Sequence, residues 1–144
     1  MAPLAQGLET GVAAIDAAND GLRFLLERMF QPGVECRKGD QGKGECDYQH
    51  CSRIAAIIRY VGRNFSSQER VMTDSAYPEA GRHCDDHARL VDSLTIMLKA
   101  KICADRDSGK VHDMVAHWMI DHAKGCDATF GRWAVTRRVL GPHQ

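Results

Sequence analysis

His83 and His87 stand four residues apart, and on a helix that spacing puts both rings on one face, a turn from each other and within reach of a single ion. Leu90, Leu94 and Met97 continue the face, so the pair points into a core rather than into water. A lone inward histidine is more often a core residue satisfied by a hydrogen bond; a pair at ligand spacing above leucines points instead to metal binding. His122 follows Trp118 by four residues on a later apolar stripe, and facing helices of a bundle bring side chains together around ions in their core. Three imidazole nitrogens can meet in this way. Asp127 lies five residues past His122, about 140° around an ideal helix, whereas Cys126 at four residues is better aimed. Ideal geometry alone therefore nominates the thiol as a fourth donor.

Such donors have to be held by helices, and the apolar spacing supplies them. Val12, Ile15, Leu22, Leu25, Leu26 and Met29 recur at helical period over about 11–30, with Thr10 placed to cap. Pro32, Gly33, Gly39, Gly42 and Gly44 make Gln31 to Glu45 a loop. Ile54, Ile57, Ile58, Val61, Phe65 and Met72 mark a second helix over about 47–73, ended by Tyr77-Pro78 because the residue before proline disfavours helix. A third is expected over about 80–103 and a fourth over about 110–130, where Val111, Met114, Val115, Trp118 and His122 face inward with Thr129 or Phe130. Gly131 should weaken the fourth, and Arg132 to Leu140 can add a short helical piece. No strand alternation competes. The expectation is one all-α domain, residues 1–144, an antiparallel four-helix bundle with a short C-terminal extension.

Bulk properties narrow the partners. The 144 residues carry 19 basic and 19 acidic side chains and no long run of one sign, which argues against nucleic acid or an anionic membrane. No leader pattern or membrane-length apolar stretch is visible, so a cytoplasmic location is expected. The six cysteines, Cys36, Cys46, Cys51, Cys84, Cys103 and Cys126, include no C-x2-C pair, and reduced thiols without regulatory chemistry are the plain expectation. A thiol-sensing role, with Cys36, Cys46 and Cys51 in or near the loop and Cys84 and Cys126 beside the histidines, is the alternative. His50, His112 and His117 fall off the ligand stripe and read as surface or flanking residues, and His143 lies in the tail.

Several separate landmarks resemble the bacterial hemerythrins: Gly11-Val-Ala-Ala-Ile-Asp16, Asn64-Phe-Ser-Ser-Gln68-Glu-Arg-Val-Met72, Tyr77-Pro78, His83-x3-His87 and Trp118-x3-His122-x4-Asp127. They keep their order over roughly residues 8 to 130. In that family four helices hold two irons bridged by carboxylates and an oxygen atom, and the pair binds O2. The resemblance implies that His83, His87 and His122 ligate one iron and that Asp127 acts as a bridging carboxylate, its five-residue step accommodated by a local π-bulge.

The departures fall on the other metal. Asn19 and Asn64 stand where the family has ligand histidines, and Gln68 stands where it has a bridging glutamate. Two divalent ions a few ångströms apart repel strongly and need several negative ligands, and amides are weak donors to iron. One ion is therefore expected, iron ahead of zinc, with a small diatomic or anionic ligand as its possible guest. Reversible O2 carriage takes one electron from each of two irons, so a single ion cannot repeat it. A sensing or binding protein follows as the leading reading. Against it stand a di-iron O2 binder, with Glu69 restoring the second site; a metal-free polar core built on Asn19, Asn64 and Gln68; and a mononuclear redox enzyme, by analogy with the three-histidine, one-aspartate set of iron and manganese superoxide dismutases.

Overall fold

The computed structural model describes residues 9–30, 51–100, 102–103 and 107–137, the side chain of Ser52 excepted. Every regular element within them is helical: α1 (Ala13–Met29), α2 (Ser52–Asp74), α3 (Ala80–Lys99), α4 (Ser108–His122), a π-helical turn (Ala123–Asp127) and α5 (Ala128–Thr136). The expected loop 31–45, the start of the second helix at 47–50, Cys36, Cys46, His50 and the tail with His143 lie outside the described residues.

The apolar stripes meet in one large buried cluster, to which α1 gives Leu22 and Leu26, α2 gives Ile54, Ile57, Val61 and Phe65, α3 gives Leu90 and Leu94, and α4 gives Val111 and Val115. A smaller cluster of Val12, Ile15, Met72, Tyr77, Phe130 and Ala134 closes the other end. Burial of this kind is worth roughly 1.5–3 kcal/mol per large side chain, which is why the 3.6-residue period dictates the elements. Close approach also needs space: a Cβ on Gly21 would sit 1.9 Å from the Tyr60 hydroxyl, which donates to the Ala18 carbonyl at 3.1 Å and ties α2 to α1.

Several boundaries differ from the sequence expectation, each for a local reason. Thr10 does not cap α1 directly; the Asp16 carboxylate reaches back to accept from the Thr10 and Gly11 backbone N–H groups at 2.7 and 3.2 Å and from the Thr10 hydroxyl at 2.8 Å. α3 stops at Lys99 rather than near 103, and the Cys103 N–H is taken by the Asp107 carboxylate at 2.9 Å. Gly131 does not break the last helix. It lies inside α5, where a Cβ would meet the Thr10 carbonyl oxygen at 2.6 Å, so its role is to let the N-terminal segment in.

Between α2 and α3 the chain reverses in a Schellman motif: the Tyr77 N–H bonds the Met72 carbonyl at 3.0 Å and the Ala76 N–H bonds the Thr73 carbonyl at 3.1 Å, with Met72 and Tyr77 sharing the smaller cluster. The left-handed position is filled by Ala76, at φ 58°, where a Cβ is strained. Ala76→Gly is expected to raise stability by about 1 kcal/mol after allowing for the greater freedom of the unfolded glycine chain, read as a higher thermal midpoint. An unchanged or lower midpoint would count against this turn.

Candidate metal centre

α3 carries His83 and His87 into the space between the two clusters, and α4 ends on His122; the three are exposed by only 1%, 1% and 3%. Their ring centroids stand 4.6 to 4.8 Å apart, and one nitrogen of each lies within 4.8 Å of the others. The sequence pairing of His83 with His87 and the addition of His122 from a facing helix are thus realised as one group.

Asp127 joins them by way of the π-helical turn. On a continuous α-helix it would point away from His122, but the wider turn over Ala123–Asp127 brings residues five apart onto one face. Its Oδ1 stands 3.1 Å from His83 Nε2 and 3.0 Å from His122 Nε2, with the side chain 1% exposed. Cys126, which ideal geometry favoured, turns away: its Sγ lies 3.9 Å from Asp86 Oδ2.

The outer nitrogens explain how the rings are aimed. His87 Nδ1 meets Glu69 Oε2 at 2.7 Å, and His122 Nδ1 meets Asp86 Oδ2 at 2.5 Å. A carboxylate can only accept, so each Nδ1 donates and the opposite Nε2 is directed into the shared space. Glu69 thus orients His87 from α2. Aromatic faces complete the walls: Phe65 stacks on His87 at 3.8 Å and Trp118 on His122 at 4.3 Å, with Phe130 edge-on to His83. Trp118 is itself fixed to α3 by its Nε1–H donating to the Asp86 carbonyl at 3.2 Å.

Sequence reasoning missed Asp86 and the positioning role of Glu69, because each acts on a histidine of another helix and no spacing along the chain encodes that pairing. His112 is a correction: it is buried, 5% exposed, with its ring edge-on to Phe30. The buried face of α4, from Val111 and His112 to Val115 and Ala116, is broader than the ligand stripe used to judge it.

The positions assigned to a second ion are engaged otherwise. The Asn19 amide donates to Asp127 Oδ2 at 2.9 Å, and the Asn64 amide donates to the Tyr60 carbonyl of its own helix at 2.8 Å. Gln68 is buried. The metal-free polar core expected as an alternative would satisfy its buried groups, yet the Nε2 atoms of His83, His87 and His122 find no partner beyond the close approach of Asp127 Oδ1 to two of them. Three buried imidazole nitrogens within 4.8 Å of one another, with a carboxylate oxygen beside two of them, fit a cation.

In the ion-free protein a proton substitutes for that cation. Burial works against a charge on His122, yet its contacts with Asp127, Cys126 and Asp86 push its pKa up to about 10. Burial, with the neighbouring charges of His122 and His83, drives His87 down to about 2. Asp127 is held below the usual carboxylate range: burial raises it, but His122, His83 and the Asn19 amide outweigh that.

No family model, curated protein or solved structure matches the chain.

Because His122 is raised from 6.5 to about 10, the stability it contributes is complete below pH 6.5 and is lost as pH climbs to about 10. Thermal unfolding of the chelator-treated protein should show its midpoint falling across that window, and Asp127→Asn, which removes the main partner, should flatten the fall. Parallel curves for the two proteins would contradict the pairing.

Proposed function

We propose that the chain is a hemerythrin-like antiparallel four-helix bundle that holds one divalent ion, iron or zinc, through His83, His87, His122 and Asp127, and that it serves in sensing or binding rather than in reversible O2 carriage. The observation that carries this reading is the group of three buried imidazole nitrogens within 4.8 Å of one another, with the buried Asp127 Oδ1 3.1 and 3.0 Å from two of them. Three imidazoles and a carboxylate suit either metal. The one-ion limit is supported by Asn19, whose amide occupies the Asp127 oxygen that a bridge would need.

A bound ion would supply a Lewis acid and, as iron, a one-electron couple. The chain's own residues do the remaining work. Asp86 and Glu69 fix two imidazoles with their lone pairs inward, Asn19 holds the Asp127 carboxylate in one orientation, and the Phe65, Trp118 and Phe130 rings exclude water. Excluding water strengthens every charge interaction at the centre.

Elemental analysis of the purified protein should find no more than one tightly held ion per chain, and air exposure should produce no oxo-bridge absorption. His87→Ala should abolish retention, while Glu69→Gln and Asp86→Asn should weaken binding about 10–100-fold by releasing a ring. Undiminished metal content in His87→Ala would place the ion elsewhere.

The hemerythrin-like part of the reading has its own test. Asn64 and Gln68 lie four apart on α2, so Asn19→His with Asn64→His and Gln68→Glu would offer two nitrogens and a carboxylate beside the first ion. The triple variant, loaded anaerobically with ferrous iron and then aired, should take up a second iron and gain charge-transfer absorption absent from the parent. A folded triple variant that still binds one ion would show that these positions do not correspond to the family's second site.

A further inference from the structure

On the solvent side of His122 lies a second group of donors. Asp86, His122 and Cys126 each present a ligand atom within 4.8 Å of the other two. Asp86 Oδ2 stands 2.5 Å from His122 Nδ1 and 3.9 Å from Cys126 Sγ. Asp86 and Cys126 are partly exposed, in contrast to the four inner donors, so this group borders water where the inner one does not. This boundary offers one approach to the inner centre, and His122 belongs to both groups through opposite ring nitrogens.

We propose that Asp86, Cys126 and the Nδ1 of His122 form an outer capture site for a thiophilic divalent ion of the zinc and cadmium class, occupied before the inner centre rather than together with it. Thiolate, imidazole and carboxylate are the three side-chain donors such ions favour, and they come from α3, α4 and the π-helical turn. Each bond has a definite proton balance. The Cys126 thiol releases its proton to solvent as the sulfur–metal bond forms, and Nδ1 exchanges its proton for the ion. When the ion moves to the inner nitrogens, the His122 Nε2 gives up its proton while Nδ1 and the Cys126 sulfur each take one back from solvent, and Asp86 again accepts from Nδ1, so Asp86 acts as a ligand during capture and as the ring's positioning partner afterwards. Simultaneous filling would strip both protons from His122 and place two divalent charges across one ring, which their repulsion opposes. The π-helical turn serves both groups, since it aims Asp127 inward and leaves Cys126 beside Asp86.

Ion binding by the outer group does not rest on the inner centre's being a metal site, whereas the order of filling rests on that reading, and the test separates the two. Cadmium added to the ion-free full chain gives an ultraviolet thiolate-to-cadmium band, to which the other cysteines contribute equally in wild type and in Cys126→Ser. The difference between the two therefore reports Cys126 alone. A difference band is expected directly after mixing, before the ion passes inward, and it should persist when the same comparison is made in a His83→Ala background, where the inner group is broken. With zinc, Cys126→Ser should load severalfold more slowly than wild type yet reach the same final content, and equal loading rates would overturn the capture role. No difference band at any time after mixing would overturn the proposal. A difference band that vanishes in the His83→Ala background would also overturn it, because the thiol would then be a ligand of the inner ion. Should the inner reading fail through undiminished metal content in His87→Ala, a difference band that survives in His83→Ala still upholds the outer site.

Discussion

A carboxylate buried among three buried imidazoles is tolerated only with a positive charge between them. Asp127 is 1% exposed, and an isolated carboxylate at that depth is costly in any fold. Much of the local structure can be read as a means of meeting that demand. In the ion-free protein the charge is the proton that His122 holds far above its ordinary range. The π-helical turn is the geometric consequence: without it the carboxylate would lie on another face and His122 would lose the largest of the contacts that keep it charged.

The surrounding parts answer to the same constraint. Asp86 and Glu69 satisfy the outer nitrogens of His122 and His87 from α3 and α2, whereas the buried His83 Nδ1 makes no hydrogen bond. Those contacts require the helices to cross at fixed separations, which the apolar clusters on either side secure. Phe65 and Phe130 belong one to each cluster and both touch histidines, so packing and chemistry meet in the same side chains. The Met72–Tyr77 turn and the passage of the N-terminal segment over Gly131 set the register of α3 and α5, the elements flanking the site.

Much of this was legible in the sequence. The apolar period marked the helices, the four-residue step joined His83 to His87, and the His122 stripe placed the third ring. What could not be read from spacing were contacts between elements: Asp86 with His122, Glu69 with His87, Asn19 with Asp127. Asp127 itself shows the limit. An ideal helix assigns the donor role to Cys126, and only the resemblance to hemerythrins suggested that the helix widens there. Gly131 misled for a related reason, since glycine inside a helix signals weakness locally and close approach tertiarily, and only the Thr10 backbone beside it decides between them.

Asn19 shows how a single side chain can set the number of ions a centre holds. A carboxylate offers two oxygens, and a bridging one must leave each free for a different cation. Here Oδ1 faces His83 and His122 while Oδ2 accepts from the Asn19 amide at 2.9 Å. An amide N–H satisfies that oxygen without adding charge, so the inner group carries one negative charge and balances one proton or part of one divalent ion. A second ion would need Oδ2 released and further anionic ligands brought in, but the Asn64 amide is bound to its own helix and the buried Gln68 is neutral. The asymmetry of Asp127 thus follows from a hydrogen bond, and the one-ion reading follows from the asymmetry.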